Sequence, residues 1–478
     1  MTIRSKVLAA LLLTAAACAV NPATGRRELN IVSEGQEIQM GRDADPQIVA
    51  SLGLVDDPAL QSYVSDLGLR LAAVSERPNL PWSFKVVDDP IVNAFALPGG
   101  FIYVTRGILA NFDSEAELAG VLGHEIGHVT ARHSATQMSR QQLQQLGLGV
   151  GMIFSETVRD YGGLAAAGLQ LMNLSYSRGD ESESDVLGLR YISRLSYDAN
   201  AMIGVFDMLA QVGSGGGEGR IPEWQLTHPY PENREANIRE VIARDNLPAG
   251  GRVARDAYLD RLDGLVYGED PRQGFFRATR FLHPDLAFEL TFPTGWQTVN
   301  QRTLVAAVAP SETAMIVLEV APEPGTPAAE LREFLAQEGI QGGQVRTESR
   351  AGVEISRATF EATTADAALS GEVAYARRGG VVFRILGYAN RTDWASHSRE
   401  VGAAISSFAQ LTDAAALAVQ PWQIDIVALP SAMSLRTYLS RNPGPAPIED
   451  LASLNRVAPD DVIASGTRIK RVVGNPLP

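Results

Sequence analysis

The run SEAELAGVLGHEIGHVTARH, residues 114–133, holds two histidines and a glutamate as His124-Glu125-Ile126-Gly127-His128, and no other segment limits the fold as strongly. At 3.6 residues per turn, positions four apart share one helix face, so His124 and His128 present two imidazoles on the same side. Ser114 followed by Glu117 predicts a capping box at the helix start, and Asp113 and Glu115 add negative charge at the positive end of the helix dipole. Gly123 and Gly127 each cost a helix interior about 1 kcal/mol relative to alanine, a cost that close packing at Gly127 would offset. Val121, Leu122, Ile126 and Val129 flank the motif and predict partial burial, where unliganded imidazoles and a carboxylate are expensive. A shared divalent cation removes that expense.

Zinc suits such a donor set, since catalytic sites use three protein ligands and leave one position open. One ion per chain is expected. Glu125, next to His124, is the candidate general base: it takes a proton from water that the metal acidifies and passes it to a departing amine. The third ligand must come from a distant segment, and the acidic run Tyr176 to Asp185 (YSRGDESESD) supplies Glu181 and Glu183 on different sides of a helix. His133 lies nine residues after His124, half a turn out of phase, and is not read as a ligand. His283 and His397 read as surface histidines.

At this point the chain resembles metallopeptidase family forty-eight, the group of CAAX prenyl proteases, mitochondrial Oma-like peptidases and bacterial BepA-like periplasmic proteases. The resemblance spans about residues 20–250 and rests on the H-E-x-x-H motif, on Glu181-x-x-x-Asp185, on Thr227-His228-Pro229 with Arg234, and on Asn93 to Gly100. It implies a mainly α-helical gluzincin-type domain with a small β-sheet, in which Glu181 completes the zinc site and Asp185 supports a ligating histidine. Ser184 stands where the family commonly has alanine. The resemblance further implies that His228 approaches the open metal position or stabilises an oxyanion, and that Arg234 offers charge to the tetrahedral intermediate. Asn93, Ala94, Phe95 and Ala96 match the family's strand before the active helix, which would pair with an extended substrate.

The first residues carry Arg4 and Lys6 and then an apolar run from Val7 to Ala17, which reads as an export signal. That run is too short for a permanent bilayer span of ~20 residues. Ala15-Ala16-Ala17-Cys18 resembles a bacterial lipobox, with Ala15 where leucine is usual, so Cys18 is the candidate lipidation site. As the only cysteine, it also rules out an intramolecular disulfide. Residues 19–38 read as a connector, 39–265 as the peptidase domain and 134–175 within it as a lid, with GSGGG (213–217) as a loop. Residues 275–410 read as an α+β domain of alternating strands with helices near 328–338 and 393–407. Residues 418–474 read strand-helix-helix-strand and resemble a LysM-like module, a candidate peptidoglycan attachment.

With 55 acidic against 41 basic residues, a net charge of −14, nucleic acid is excluded as a partner. The expected protein is an exported zinc endopeptidase of the periplasm or cell envelope, lipid-anchored to a membrane, acting on misfolded or misassembled envelope proteins. A reading from another class is a chaperone or assembly scaffold with gated or secondary proteolysis. Specific prenyl-peptide processing fits less well, because long apolar spans are missing.

Overall fold

Cap chemistry decides where the first helices begin. Ser33 and Gln36 close a capping box on the helix Glu34–Leu52, and Asp57 caps Pro58–Ala73, whose proline occupies the first helical turn. Residues 34–73 are therefore two helices, parted at Gly53, whose φ is +72°. The protein's structure is a computed structural model that describes residues 18–147, 176–215, 228, 233–247, 250–321, 325–350, 352–363 and 368–477. The export signal before Cys18, the lid residues 148–175, and Thr227 with residues 229–232 lie outside the described residues.

The chain forms two compact units, Met1–Gly268 with Gln423–Val473 and Glu269–Trp422 with Gly474–Pro478. In the first, a small sheet runs in the order Ser83–Val87, Phe101–Thr105, Ala94–Leu97, with the first pair parallel and the second antiparallel. Pro98-Gly99-Gly100 makes the turn between Ala94–Leu97 and Phe101–Thr105; Gly99 sits at φ +84°, and a Cβ there would lie 2.6 Å from Ile38 Cα. Only glycine lets this turn pack so closely on the first helix. The helix Glu115–Ala131 is buried along its whole length, packed among Pro58–Ala73, Arg178–Arg194, Ala201–Gly215 and the strand Ala94–Leu97. Of the expected loop at 213–217, residues 213–215 belong to the helix Ala201–Gly215, and 216–217 lie outside the described residues.

Residues of the C-terminal segment return to this unit. Trp422–Ala428, Leu435–Arg441, Ile448–Asn455 and Arg468–Val473 follow the strand-helix-helix-strand order, the two strands pair antiparallel, and Val266–Tyr267 adds a third strand beside Trp422–Ala428.

The second unit is built on an eight-stranded antiparallel sheet. Its strands run, edge to edge, Gln297–Asn300, Leu304–Val308, Ala314–Val320, Val381–Asn390, Ala368–Arg378, Val353–Thr363 and Ile340–Gly342, with Arg346–Arg350 also paired to Val353–Thr363. Gly379 and Gly380, at φ +56° and +87°, form a two-residue hairpin loop between Arg378 and Val381, the backbone that matches strand twist. The helix Trp394–Ser406 buries Val401 and Ile405 on one face with Ile355 and Ala376, and the helix Pro327–Leu335 buries Leu331 and Phe334 on the other with Phe360 and Val373.

His283 and His397 are not free surface side chains, because aromatic neighbours cover both. The His283 ring lies 5.1 Å from that of Phe288, and the His397 ring 5.7 Å from Trp296. Burial pushes the His283 imidazole down from 6.5 to about 4. In the unfolded chain it takes up a proton near 6.5, so folding stability is unaffected above that pH and falls as the pH drops toward 4. The loss approaches about 3 kcal/mol. His283→Gln keeps an acceptor for the Leu286 N–H and is expected to flatten denaturant midpoints between pH 7 and 4.5 for the sheet unit. Equal slopes in variant and parent would refute this.

Candidate metal centre

Two helices bring the site together by crossing at backbone contact. Ser114 Oγ accepts the Glu117 N–H and starts Glu115–Ala131, while Ser177 and Asp180 close a capping box on Arg178–Arg194. The first cap differs from the expected box, since Glu117 accepts from the Asp113 N–H instead of Ser114. A Cβ on Gly123 would lie 3.1 Å from Gly188 Cα, one on Gly127 3.0 Å from Ser184 Cα, and one on Gly188 2.8 Å from His124 N. The two glycines of the motif therefore serve close approach, which sets Glu181 opposite the paired histidines.

His124, His128, Glu181 and His228 converge, with potential ligand atoms all within 4.8 Å of one another and all four residues buried. His124 Nε2 and His128 Nε2 lie 3.0 Å apart, and the Glu181 oxygens stand 3.3 Å from His128 Nε2 and 3.6 Å from His124 Nε2. Glu125 is wholly buried beside them, Oε1 3.5 Å from His228 Nε2. No oxygen of Glu125 or Glu181 accepts a hydrogen bond among the described residues. Burial pushes the Glu181 carboxyl well above its usual range against the pull of Arg234, and it pushes His128 well below its own. Burial likewise raises Glu125 to about 7, with His124 opposing and Glu181 adding to the rise. Three histidines and a carboxylate without hydrogen bonds, all buried, fit zinc's nitrogen and oxygen preference. A divalent cation would stabilise the carboxylates in their ionised form.

Behind the donors stands a second set of contacts. Asp185 Oδ1 is 2.9 Å from His124 Nδ1, which fixes the tautomer that leaves Nε2 available. Arg234, expected to offer charge to the tetrahedral intermediate, is placed against two carboxylates. Its Nε and Nη2 donate to Asp185 at 2.8 and 2.6 Å, and Nη1 lies 3.0 Å from Glu181 Oε2. A guanidinium so engaged holds carboxylates in place. Although burial opposes ionisation, the charge of Arg234 draws the Asp185 carboxyl down to about 2.

His133 and Tyr176 were missing from the candidate set. The phase argument that set His133 aside assumes an unbroken helix, but Arg132 takes φ +64° and ends it. The chain turns back and places His133 Nδ1 3.0 Å from His128 Nδ1, so His133 steadies His128 much as Asp185 steadies His124. The Tyr176 ring stacks on His128 at 3.9 Å, its hydroxyl 2.9 Å from Ser134 Oγ. A histidine and an aromatic beside the motif and the acidic run were the available signals. Glu183, the rival third ligand, faces elsewhere: it accepts from Asn21 Nδ2 at 2.8 Å and lies 3.8 Å from His133 Nε2.

Asn93 is buried, and Ala94, Phe95 and Ala96 belong to the buried strand Ala94–Leu97 on an edge of the three-stranded sheet, against the helix of the motif. Cys18 begins a short strand, Cys18–Val20, paired with Arg27–Leu29. Among the described residues, no helix is long and apolar enough to cross a membrane.

The profile of peptidase family M48 matches residues 58–242. The chain is 34% identical over 250 residues to the beta-barrel assembly-enhancing protease of Escherichia coli (strain K12), covering half of each chain, and 35% identical over 249 residues to that of Yersinia pestis, again half of each. It is 33% identical over 239 residues to the mitochondrial metalloendopeptidase OMA1 of Schizosaccharomyces pombe, covering 46% of this chain and 65% of the other. The chain spans about half the length of the bacterial curated relatives it matches.

Proposed function

Residues 58–242 form a domain of peptidase family M48, and from that premise we propose that the chain is a zinc-dependent endopeptidase of the cell envelope. The convergence of His124, His128 and Glu181, with Glu125 buried beside them, carries this reading. Zinc, when bound, supplies Lewis acidity that polarises the scissile carbonyl and acidifies water. His124, His128 and Glu181 would hold it, with His228 in reach as a further donor.

Glu125 removes a proton from water as the water oxygen bonds to the carbonyl carbon, and delivers it to the amine nitrogen as the C–N bond breaks. Its buried carboxylate, beside the donor group, is placed for both transfers. Asp185 and His133 orient the two imidazoles, and Arg234 fixes Glu181 and Asp185. The strand Ala94–Leu97 would pair with an extended substrate backbone, which favours unfolded segments over particular sequences. We assign misfolded or misassembled envelope proteins as the substrate class, supported by the similarity to bacterial beta-barrel assembly-enhancing proteases.

The expected domain limits, 39–265, 275–410 and 418–474, remain our proposal, as do Cys18 as a lipid anchor and peptidoglycan as a ligand of the last. Intact mass of the mature protein decides the anchor, with an unmodified N-terminus excluding it. Co-sedimentation of the full chain with insoluble peptidoglycan decides the ligand, and protein left in the supernatant excludes it.

Purified protein is expected to contain about one zinc per chain and to cleave casein, to lose cleavage on chelation, and to regain it with zinc. Equal cleavage by metal-free protein would overturn the proposal.

A further inference from the structure

The C-terminal segment touches the peptidase fold where the motif helix begins. Lys470, with no exposed surface, donates from Nζ to the carbonyls of Ala110, Phe112 and Leu454 at 3.0, 2.8 and 3.1 Å, and lies 3.0 Å from the Asp113 carboxylate. Its backbone is held in turn: Asn455 accepts the Lys470 N–H at 2.8 Å and donates to the Lys470 carbonyl at 2.7 Å. Arg456 grips Glu117 with both terminal nitrogens, at 2.6 and 2.7 Å, and reaches the Asn111 carbonyl at 3.2 Å.

Room for that grip is left by Gly204 on the helix Ala201–Gly215, where a Cβ would come within 2.8 Å of Glu117 Oε1 and 3.3 Å of Arg456 Nη1. Burying a lysine is costly unless its protons are taken and its charge is paired, and here three carbonyls from two chain segments take the protons while the Asp113 carboxylate stands beside the charge. Although burial works against both charges, Lys470 and Arg456 hold the Asp113 carboxyl below its usual range.

We propose that Gln423–Val473 is a brace of the peptidase unit, with Lys470 and Arg456 as positioning residues that fix the N-terminal end of the His124–His128 helix. The residues gripped, 110–117, lead directly into that helix, and His124 follows Glu117 by seven positions, about 10 Å of axial rise. The helix is buried throughout and packed backbone to backbone on Arg178–Arg194. A displacement at its start therefore passes to the histidines, because a close-packed helix moves as a body and not as separate residues. This goes beyond an attached binding module, in which the same segment would be dispensable for the metal site.

The test uses the full chain with Arg456→Gln, Arg456→Lys, Lys470→Met and Gly204→Ala, the last crowding the ion pair without removing a charge. For Arg456→Gln we expect kcat to fall about tenfold with KM within about twofold, since small misplacements of reacting groups act on the chemical step. Amide exchange across residues 110–124 is expected to quicken, and the visible spectrum of the cobalt-substituted protein to shift. Arg456→Lys, which keeps a charge near Glu117, is expected to recover much of each change, and Gly204→Ala to reproduce them in part.

The kinetic arm rests on the peptidase reading, whereas exchange and the cobalt spectrum do not, so an inactive parent leaves the brace testable. If Lys470→Met fails to fold, Arg456→Gln and Gly204→Ala carry the decision. A soluble Arg456→Gln with parental exchange over 110–124 and a parental cobalt spectrum overturns the proposal, even if its melting point is lower.

Discussion

Glu125→Gln is expected to lower kcat for peptide cleavage by roughly 10²–10⁴-fold, the range associated with loss of a positioned general base, while zinc content stays at the parental level. The two halves of that result come from separate parts of the geometry. Glutamine has the shape of the glutamate it replaces, so a fully buried position keeps its packing, but an amide cannot accept the proton that water must give up. Glu125 lies outside the group of donor atoms formed by His124, His128, Glu181 and His228, so the ion's holders are untouched. Metal analysis beside steady-state kinetics checks both. Parental turnover would remove Glu125 from the mechanism, and loss of zinc with loss of activity would assign it to the donor set instead. The same variant separates the peptidase from a scaffold, since complete rescue of a deletion strain by Glu125→Gln would mean that cleavage is not what the cell requires.

What could be read from the sequence follows the range over which each interaction acts. His124 and His128, or Glu181 and Asp185, lie four residues apart on one helix, and helical geometry alone predicts their shared face. Thr326 before Pro327 and Gly379-Gly380 between strands are similarly local signals, and both a helix start and a hairpin stand there. The strand Val353–Thr363 gives a weak signal in the sequence for a physical reason. Val353 and Ile355 face one core while Ala358 and Phe360 face the opposite one, so the buried side changes partway along and no single period-two stripe appears. His133 stays outside the donor group, as read, but its place beside His128 could not be read from a helical phase that the turn at Arg132 breaks. Arg234 and Lys470 were beyond local reading altogether. Their partners lie 49 and about 360 residues away in the chain, and pattern says nothing about which distant carboxylate or carbonyl a buried cation will meet.

Arg234→Met is expected to cost the metal-free protein roughly 3–5 kcal/mol, the penalty typical of a buried ion pair broken on one side. Arg234, Asp185 and Glu181 have side chains 1%, 4% and 0% exposed, so water cannot replace the guanidinium. Methionine fills much of the arginine stem's volume, which leaves the stranded carboxylates as the main loss. That reasoning makes a sharper demand on the double variant Arg234→Met with Asp185→Asn. Asparagine offers His124 Nδ1 an acceptor as Asp185 does at 2.9 Å, yet carries no charge, so the double variant should be more stable than Arg234→Met alone. Removing both partners of a buried pair is cheaper than removing one. Thermal midpoints report the difference at about 2–4 °C per kcal/mol for domains of 150–250 residues. A double variant that melts below Arg234→Met would show that Asp185 is stabilising without its arginine, and the account of Arg234 as the counter-charge that lets Asp185 and Glu181 stand together beside the histidines would fail.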